Sequence, residues 1–221
     1  MTDLMPWQST LADAAMQYSL AISGPRQCGK TELALDVARR AAVRGDTVDY
    51  VTSSPEQTQE AMLRLLRPLR LDQPEAIART STDGEFIVDF TSEGRVQFFP
   101  PQYPMPFSTL SRPSEQRDQL ICDDRQIAVH YGASTQWRRV LRVGVGIASY
   151  RLPYVRFGMD PGDDPTDEDV WRRAHPGLGT LVPIERFRKM AAVMTPEVFA
   201  GELLNATPGS TVEPNSPTFQ S

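Results

Sequence analysis

The stretch AISGPRQCGKTELAL, residues 21–35, limits the fold more than any other part of the chain. It carries Gly24, four further residues and then Gly29-Lys30-Thr31. Each position has its own physical use. The glycines permit a backbone whose successive N–H groups point into one concavity and meet phosphate oxygens. Lys30 is long enough to reach the two outer phosphates of a nucleotide, and the Thr31 hydroxyl can ligate Mg²⁺. A helix starting here adds the positive end of its dipole. Gly24, Pro25, Arg26, Gln27, Cys28, Gly29, Lys30 and Thr31 are therefore candidate phosphate-binding residues. The pattern requires a strand before it and a helix after it. Residues 18–23, YSLAIS, read as a short buried strand. Residues 30–45 read as a helix with Leu33, Val37, Ala38, Ala41 and Ala42 on one face and Gly45 as its stop. The bland alternative is a glycine-rich turn that merely packs; the flanking strand and helix favour a phosphate cradle.

The elements that follow repeat the alternation. TVDYVTSS reads as a second strand, and PEQTQEAMLRLLRPL as a second helix opened by Pro55, an accepted first-turn residue. Such spacing means parallel βαβ units. EFIVDF and RVQFF, joined by TSEG, read as a hairpin. The proline-rich stretch 100–116 reads as a loop. DQLICDD is a third core strand, and VLRVGVGIAS, 140–149, a glycine-bearing one. DPGDDPTDED, 160–169, is an acidic, turn-rich linker, with short helices VWRRA and IERFRKMAAVM beyond it. The Ser/Thr/Pro-rich tail after Pro208 is predicted to be disordered. The fold predicted is α/β, a P-loop NTPase with a mostly parallel central sheet flanked by helices, plus a small C-terminal helical appendage.

Charge and composition narrow the function. A net charge of −5 over 221 residues argues against a dedicated basic module that coats nucleic acid. Two cysteines, Cys28 and Cys122, cannot build a disulfide framework, so a reducing compartment is the simpler expectation. No stretch approaches the about 20 apolar residues of a membrane span, and the first ten residues lack the features of a signal peptide. A soluble intracellular protein is expected.

A phosphate loop implies a second set of residues. QLICDD, an apolar strand ending in two acids, fits it: Asp123 is expected to face the Mg²⁺ shell and Asp124 the attacking water. The alternative is a solvated strand end.

These residues carry a resemblance to the ATPase part of the large terminase subunit of tailed phages. PWQ, residues 6–8, resembles the family's N-terminal signature, which implies Gln8 as a contact to adenine; Trp7 as a core aromatic with Gln8 exposed is the alternative. GPRQCGKT resembles the family's Walker A loop, with its Arg-Gln pair before Gly-Lys-Thr. ICDDRQ resembles the Asp-Glu-x-Gln segment. VWRRAHPGLG and PEVFAGELLNA resemble elements that follow the ATPase core. Together they span about residues 4–206. VGVGIAS lies where the family has its coupling motif, which would place Ser149 there.

The resemblance implies an ATP-binding and ATP-hydrolysing subunit of a DNA-packaging motor, using ATP and Mg²⁺. It implies Arg26 as a cis-acting catalytic residue on the γ-phosphate and Asp124 as the catalytic acid. Asp124 stands where the family has Glu, so weak turnover is expected. The implied partners are double-stranded DNA, a portal protein and a small terminase subunit, with no membrane, a homo-oligomeric ring, and the cytoplasm of an infected bacterium as the setting. Arg39, Arg40, Arg44, Arg64, Arg67, Arg138 and Arg139 are candidates for DNA-backbone contacts, or simply solvated faces. The domains expected are a P-loop ATPase at 1–160, a linker and small helical subdomain at 161–208, and a tail at 209–221. The family's nuclease domain would begin near Ala206, so a nuclease-less or truncated form is expected. A different function remains open on the same residues: a nucleotide-binding assembly or regulatory protein that does not turn over.

Overall fold

The structure, a computed structural model, describes residues 4–67, 76–80, 86–99, 117–123, 137–147 and 152–206. Helix α1 (Pro6–Ala15) precedes β1 (Leu20–Ser23), and α2 (Lys30–Val43) follows it. Next come β2 (Thr47–Thr52), α3 (Pro55–Leu66), β3 (Ala76–Thr80), β4 (Phe86–Phe90) and β5 (Arg95–Phe99). The acid-bearing strand is β6 (Arg117–Asp123); β7 (Trp137–Gly144) and β8 (Tyr154–Arg156) complete the sheet. Helices α4 (Glu168–Ala174), α5 (Ile184–Val193) and α6 (Pro196–Leu203) close the described chain.

Eight strands form one sheet in the order β3-β4-β5-β2-β6-β7-β1-β8. From β5 through β8 every neighbouring pair is parallel, while β3, β4 and β5 run antiparallel. The predicted hairpin is therefore present as β4–β5, its turn closed by Phe90 N–H donating to Gly94 O at 2.8 Å. Four elements are not predicted individually from the sequence: α1, β3, β8 and α6. Strand β8 has three residues, too few for a period to show. Strand β3 forms only because β4 offers it an antiparallel partner. Helices α1 and α6 lie on the motifs PWQ and PEVFAGELLNA, which carry the family resemblance rather than a helical period. The 100–116 loop, the tail beyond Ala206, Asp124 and Ser149 lie outside the described residues.

Parallel sheets need cover on both faces, and this one has it. On one face α2 buries Leu33, Ala34, Val37, Ala38, Ala41 and Ala42 completely. Four of these six are alanines, which lets the helix axis approach the sheet closely. The other face carries Val51, Phe99, Leu120 and Cys122. Burial, aided by the Asp123 charge and opposed by that of Arg142, pushes the Cys122 thiol up to about 12, so it stays protonated. Helices α4 to α6 hold their own aromatic cluster: Trp171, Phe187 and Phe199, with ring centroids 5.3–5.9 Å apart. No helix among the described residues is long and apolar enough to cross a membrane.

Register sets the location of the site. Ser23 pairs with Gly144, Val143 with Asp123, and Asp123 with Thr52. Strands β1, β7, β6 and β2 thus end level at one sheet edge, where open α/β sheets bind ligands.

Candidate functional site

The loop after β1 turns directly into α2. Gln27 (φ 61°) and Gly29 (φ 98°) both take the left-handed conformation, which breaks the run of the backbone and curls its N–H groups inward. Gly29 has a second reason to be glycine: a Cβ there would lie 2.4 Å from Gln8 Nε2. The Lys30 ammonium donates to the carbonyls of Gly24 (2.9 Å) and Pro25, so it lies inside the curl rather than in solvent. Cys28 is buried, which raises its pKa against the pull of the Lys30 charge 3.6 Å away.

Gln8 is not exposed; it is 3% accessible and braces the loop from behind. Its Nε2 donates to Gly29 O at 2.9 Å, and its Oε1 accepts the Met5 N–H at 2.7 Å, the reach-back half of a capping box for α1. Trp7 packs edge-on against Phe157, with centroids 4.9 Å apart.

A cavity of about 530 Å³ opens in front of the loop. One wall is Arg26, Gln27, Lys30 and Thr31; the floor is the ends of β2, β6 and β7, with Thr52, Asp123 and Gly144. Asp123 Oδ2 accepts the Tyr50 hydroxyl at 2.8 Å. Tyr50 is fully buried, and desolvation together with the Asp123 charge drives its pKa well up. The phenol therefore keeps its proton and donates it to the Asp123 carboxylate, which lines the same cavity as Thr31. Thr52 and Thr58 share a 2.6 Å hydrogen bond under the start of α3. The sequence reading missed Tyr50, which looks like an ordinary strand aromatic; its only signal is its place two residues before the strand end.

The third wall is α3, and Arg64 belongs to it. It pairs with Glu32, on the first turn of α2, and with Glu60 at 3.5 Å. Four other candidates for DNA contact also hold acids of this chain: Arg39 binds Asp36, Arg40 binds Asp13 and Asp36, Arg138 binds Asp118, and Arg139 binds Asp46.

The fourth side belongs to the appendage. Glu202 of α6 pairs with the Arg26 guanidinium, and the Arg26 N–H donates to Glu202 O at 3.3 Å. His175 lies 2.9 Å from Arg26 O through Nε2. A carbonyl can only accept, so Nε2 carries a proton, while Nδ1 is buried without a hydrogen-bond partner among the described residues. Burial lowers the His175 pKa, opposed by that hydrogen bond. Asn205 donates to Ser23 Oγ (3.0 Å) and Phe157 O (2.6 Å) and accepts from Gly146 N–H (2.7 Å). The motifs HPGLG and ELLNA thus act as braces behind the loop. Glu202 and Asn205 lie in PEVFAGELLNA and His175 in VWRRAHPGLG, but nothing in their spacing tells which loop they meet.

The loop's left-handed turns, the inward Lys30 and the facing Thr31 and Asp123 fit a nucleotide's phosphates and their Mg²⁺. The fold is similar to that of the ATPase domain of the large terminase of Thermus phage P74-26. A mutant form of that domain matches with a TM-score of 0.50 at 14% identity, over 91% of this chain and 93% of that one. A second structure of the domain gives 0.47 at 13%, over 87% and 90%. No protein-family model and no curated protein matches the chain.

Proposed function

We propose that this chain binds Mg²⁺-ATP and hydrolyses it as the ATPase unit of a phage DNA-packaging terminase. The observation that carries the reading is the convergence of Lys30, Thr31, Arg26 and Asp123 on one cavity at the sheet edge. A turn that merely packs has no reason to place three such groups around a cavity that a strand-end acid, Asp123, also lines. The terminase-like fold agrees with the motifs PWQ, GPRQCGKT and WRRAHPGLG, whose order along the chain the resemblance rests on.

In this reading the N–H groups of residues 26–31 hold phosphate oxygens, and Lys30 leaves its own loop carbonyls to hold them too. Thr31 and Asp123 hold Mg²⁺, with Asp123 kept in place by Tyr50. Bound Mg²⁺ neutralises the charge that builds on the outer phosphates. Asp124, next along the chain, orients the attacking water. Arg26 exchanges Glu202 for the γ-phosphate, which couples the site to α6. The partners are double-stranded DNA, a portal protein and a small terminase subunit, and the working form is a ring.

The test is binding and turnover by the purified chain. Mg²⁺-ATP at a hundredfold excess over its Kd should stabilise the fold by about 2.7 kcal/mol, and Lys30→Ala should remove most of that. Phosphate release should be measurable and should rise when double-stranded DNA is added. Binding without turnover in any condition would favour a non-hydrolysing assembly protein. No thermal shift at millimolar Mg²⁺-ATP would sink the nucleotide reading altogether.

A further inference from the structure

We propose that Arg64 contacts the terminal phosphate of the bound nucleotide from the α3 wall, and that Glu32 holds the guanidinium aside until the nucleotide arrives. This rests on the nucleotide reading above.

Helix α3 presents Gln57, Glu60, Ala61 and Arg64 to the cavity. Their spacing of three, four and seven residues is that of one helix face, so α3 is a wall of the site along much of its length. Arg64 is the cation of that wall, opposite Lys30. Two features place it beside the outer phosphate rather than the base. Its partner Glu32 directly follows Thr31, at the start of the helix whose N-terminus receives phosphate. Arg64 also lies within the field of Asp123, whose charge partly offsets the lowering of the Arg64 pKa by burial. Thr31 and Asp123 are the residues that would hold the metal, which in phosphoryl transfer would neutralise charge on the outer phosphates. The group between them and α3 is therefore the terminal phosphate.

Energetics allow the exchange. The side chains of Arg64, Glu32 and Glu60 are 31%, 39% and 68% exposed, and ion pairs this open are weak. A phosphate offers the guanidinium fork two oxygens at once and a larger charge. A diphosphate lacks the group that Arg64 would reach, so the contact should distinguish ATP from ADP.

A purely structural role, pinning α3 to α2, predicts something else, and two variants separate them. Affinities for a non-hydrolysable ATP analogue and for ADP, each with Mg²⁺, can be read by displacement of a fluorescent nucleotide. Arg64→Gln should weaken the triphosphate by about ten- to a hundredfold, the range for losing a hydrogen bond to a charged group, and leave ADP unchanged. Glu32→Gln frees Arg64 and should tighten the triphosphate while also leaving ADP unchanged. Arg64→Lys keeps a charge without the fork and should show a smaller triphosphate loss; it serves if Arg64→Gln does not fold. Equal loss of both nucleotides in the Arg64 variants, no loss of either, or a Glu32→Gln that weakens the triphosphate as Arg64→Gln does, would overturn the proposal while wild-type ATP binding stands. Wild type that binds neither nucleotide overturns the parent reading with it.

Discussion

The smallest device in the site is a hydrogen bond. Tyr50 is fully buried and gives its only polar hydrogen to Asp123 at 2.8 Å. In the proposed reading the carboxylate would share a metal with Thr31, which requires a set angle, and the phenol hydrogen bond constrains that angle. Tyr50→Phe keeps the ring and its packing, so the loss is confined to the hydrogen bond. Apo stability should drop by roughly 1–3 kcal/mol, the range for a hydrogen bond to a charged group, as read by urea unfolding. Turnover should fall by about tenfold or more at saturating ATP, because a carboxylate free to rotate holds the metal less well. Unchanged turnover would mean that Asp123 is oriented by something else. Asp123 was legible in QLICDD as a strand-end acid; Tyr50 was not, because its partner lies 73 residues away on another strand.

At the scale of elements, α1 proves to be part of the loop. Gln8 sits at the third position of that helix and clamps Gly29, the residue that starts α2. The two helices are thus joined through the turn that, in the proposed reading, would hold phosphate. The expected adenine contact and this brace make different predictions. If Gln8 only reads the base, Gln8→Ala should weaken ATP and leave the apo protein as stable as before. As a brace, Gln8→Ala should lower apo stability by about 1–2 kcal/mol and weaken ATP and inorganic triphosphate alike, since the second ligand has no base. Isothermal calorimetry with the two ligands, beside a urea melt, decides it. The same scale explains the position of Gly177: a Cβ there would come 3.2 Å from Cys28 Cα, so the HPGLG turn lies directly against the loop's backbone.

For the whole molecule, the appendage and the phosphate loop are one mechanical unit. Residues of α6, of the turn after α4 and of the segment after α6 reach Arg26, Cys28 and Ser23. His175 makes this join sensitive to pH. Its native pKa lies below that of the unfolded chain, because burial disfavours the charged ring. The unfolded state therefore binds the proton first as pH falls. Stability is unaffected by His175 above about pH 6.5, the unfolded value, and is lost progressively below it until the native pKa is reached. His175→Gln keeps a donor near Arg26 O without a titrating ring, so its melting temperature should fall less than that of wild type between pH 7 and pH 5. Parallel curves for the two proteins would show that other groups govern the acid side.

The sequence by itself determined the local facts. A strand, a loop with Gly24 and Gly29 and an alanine-rich helix follow from residues that are neighbours in the chain, because backbone freedom and helix periodicity act over a few residues. The level strand ends that gather Thr52, Asp123 and Gly144 follow less directly, through the βαβ alternation. Tertiary structure alone decided which distant groups meet. Arg64 was read as one of several surface arginines on helices; only the placement of α3 against the loop put it in the cavity. Arg26 was legible as a loop arginine, but its pairing with Glu202 depends on where a helix 176 residues later comes to rest. The alternative with Gln8 exposed fails, because Gln8 is a buried brace where α1 packs against α2. Contacts of this kind depend on the packing of whole elements, whose burial is a property of faces and areas, and no spacing of residues along the chain encodes them.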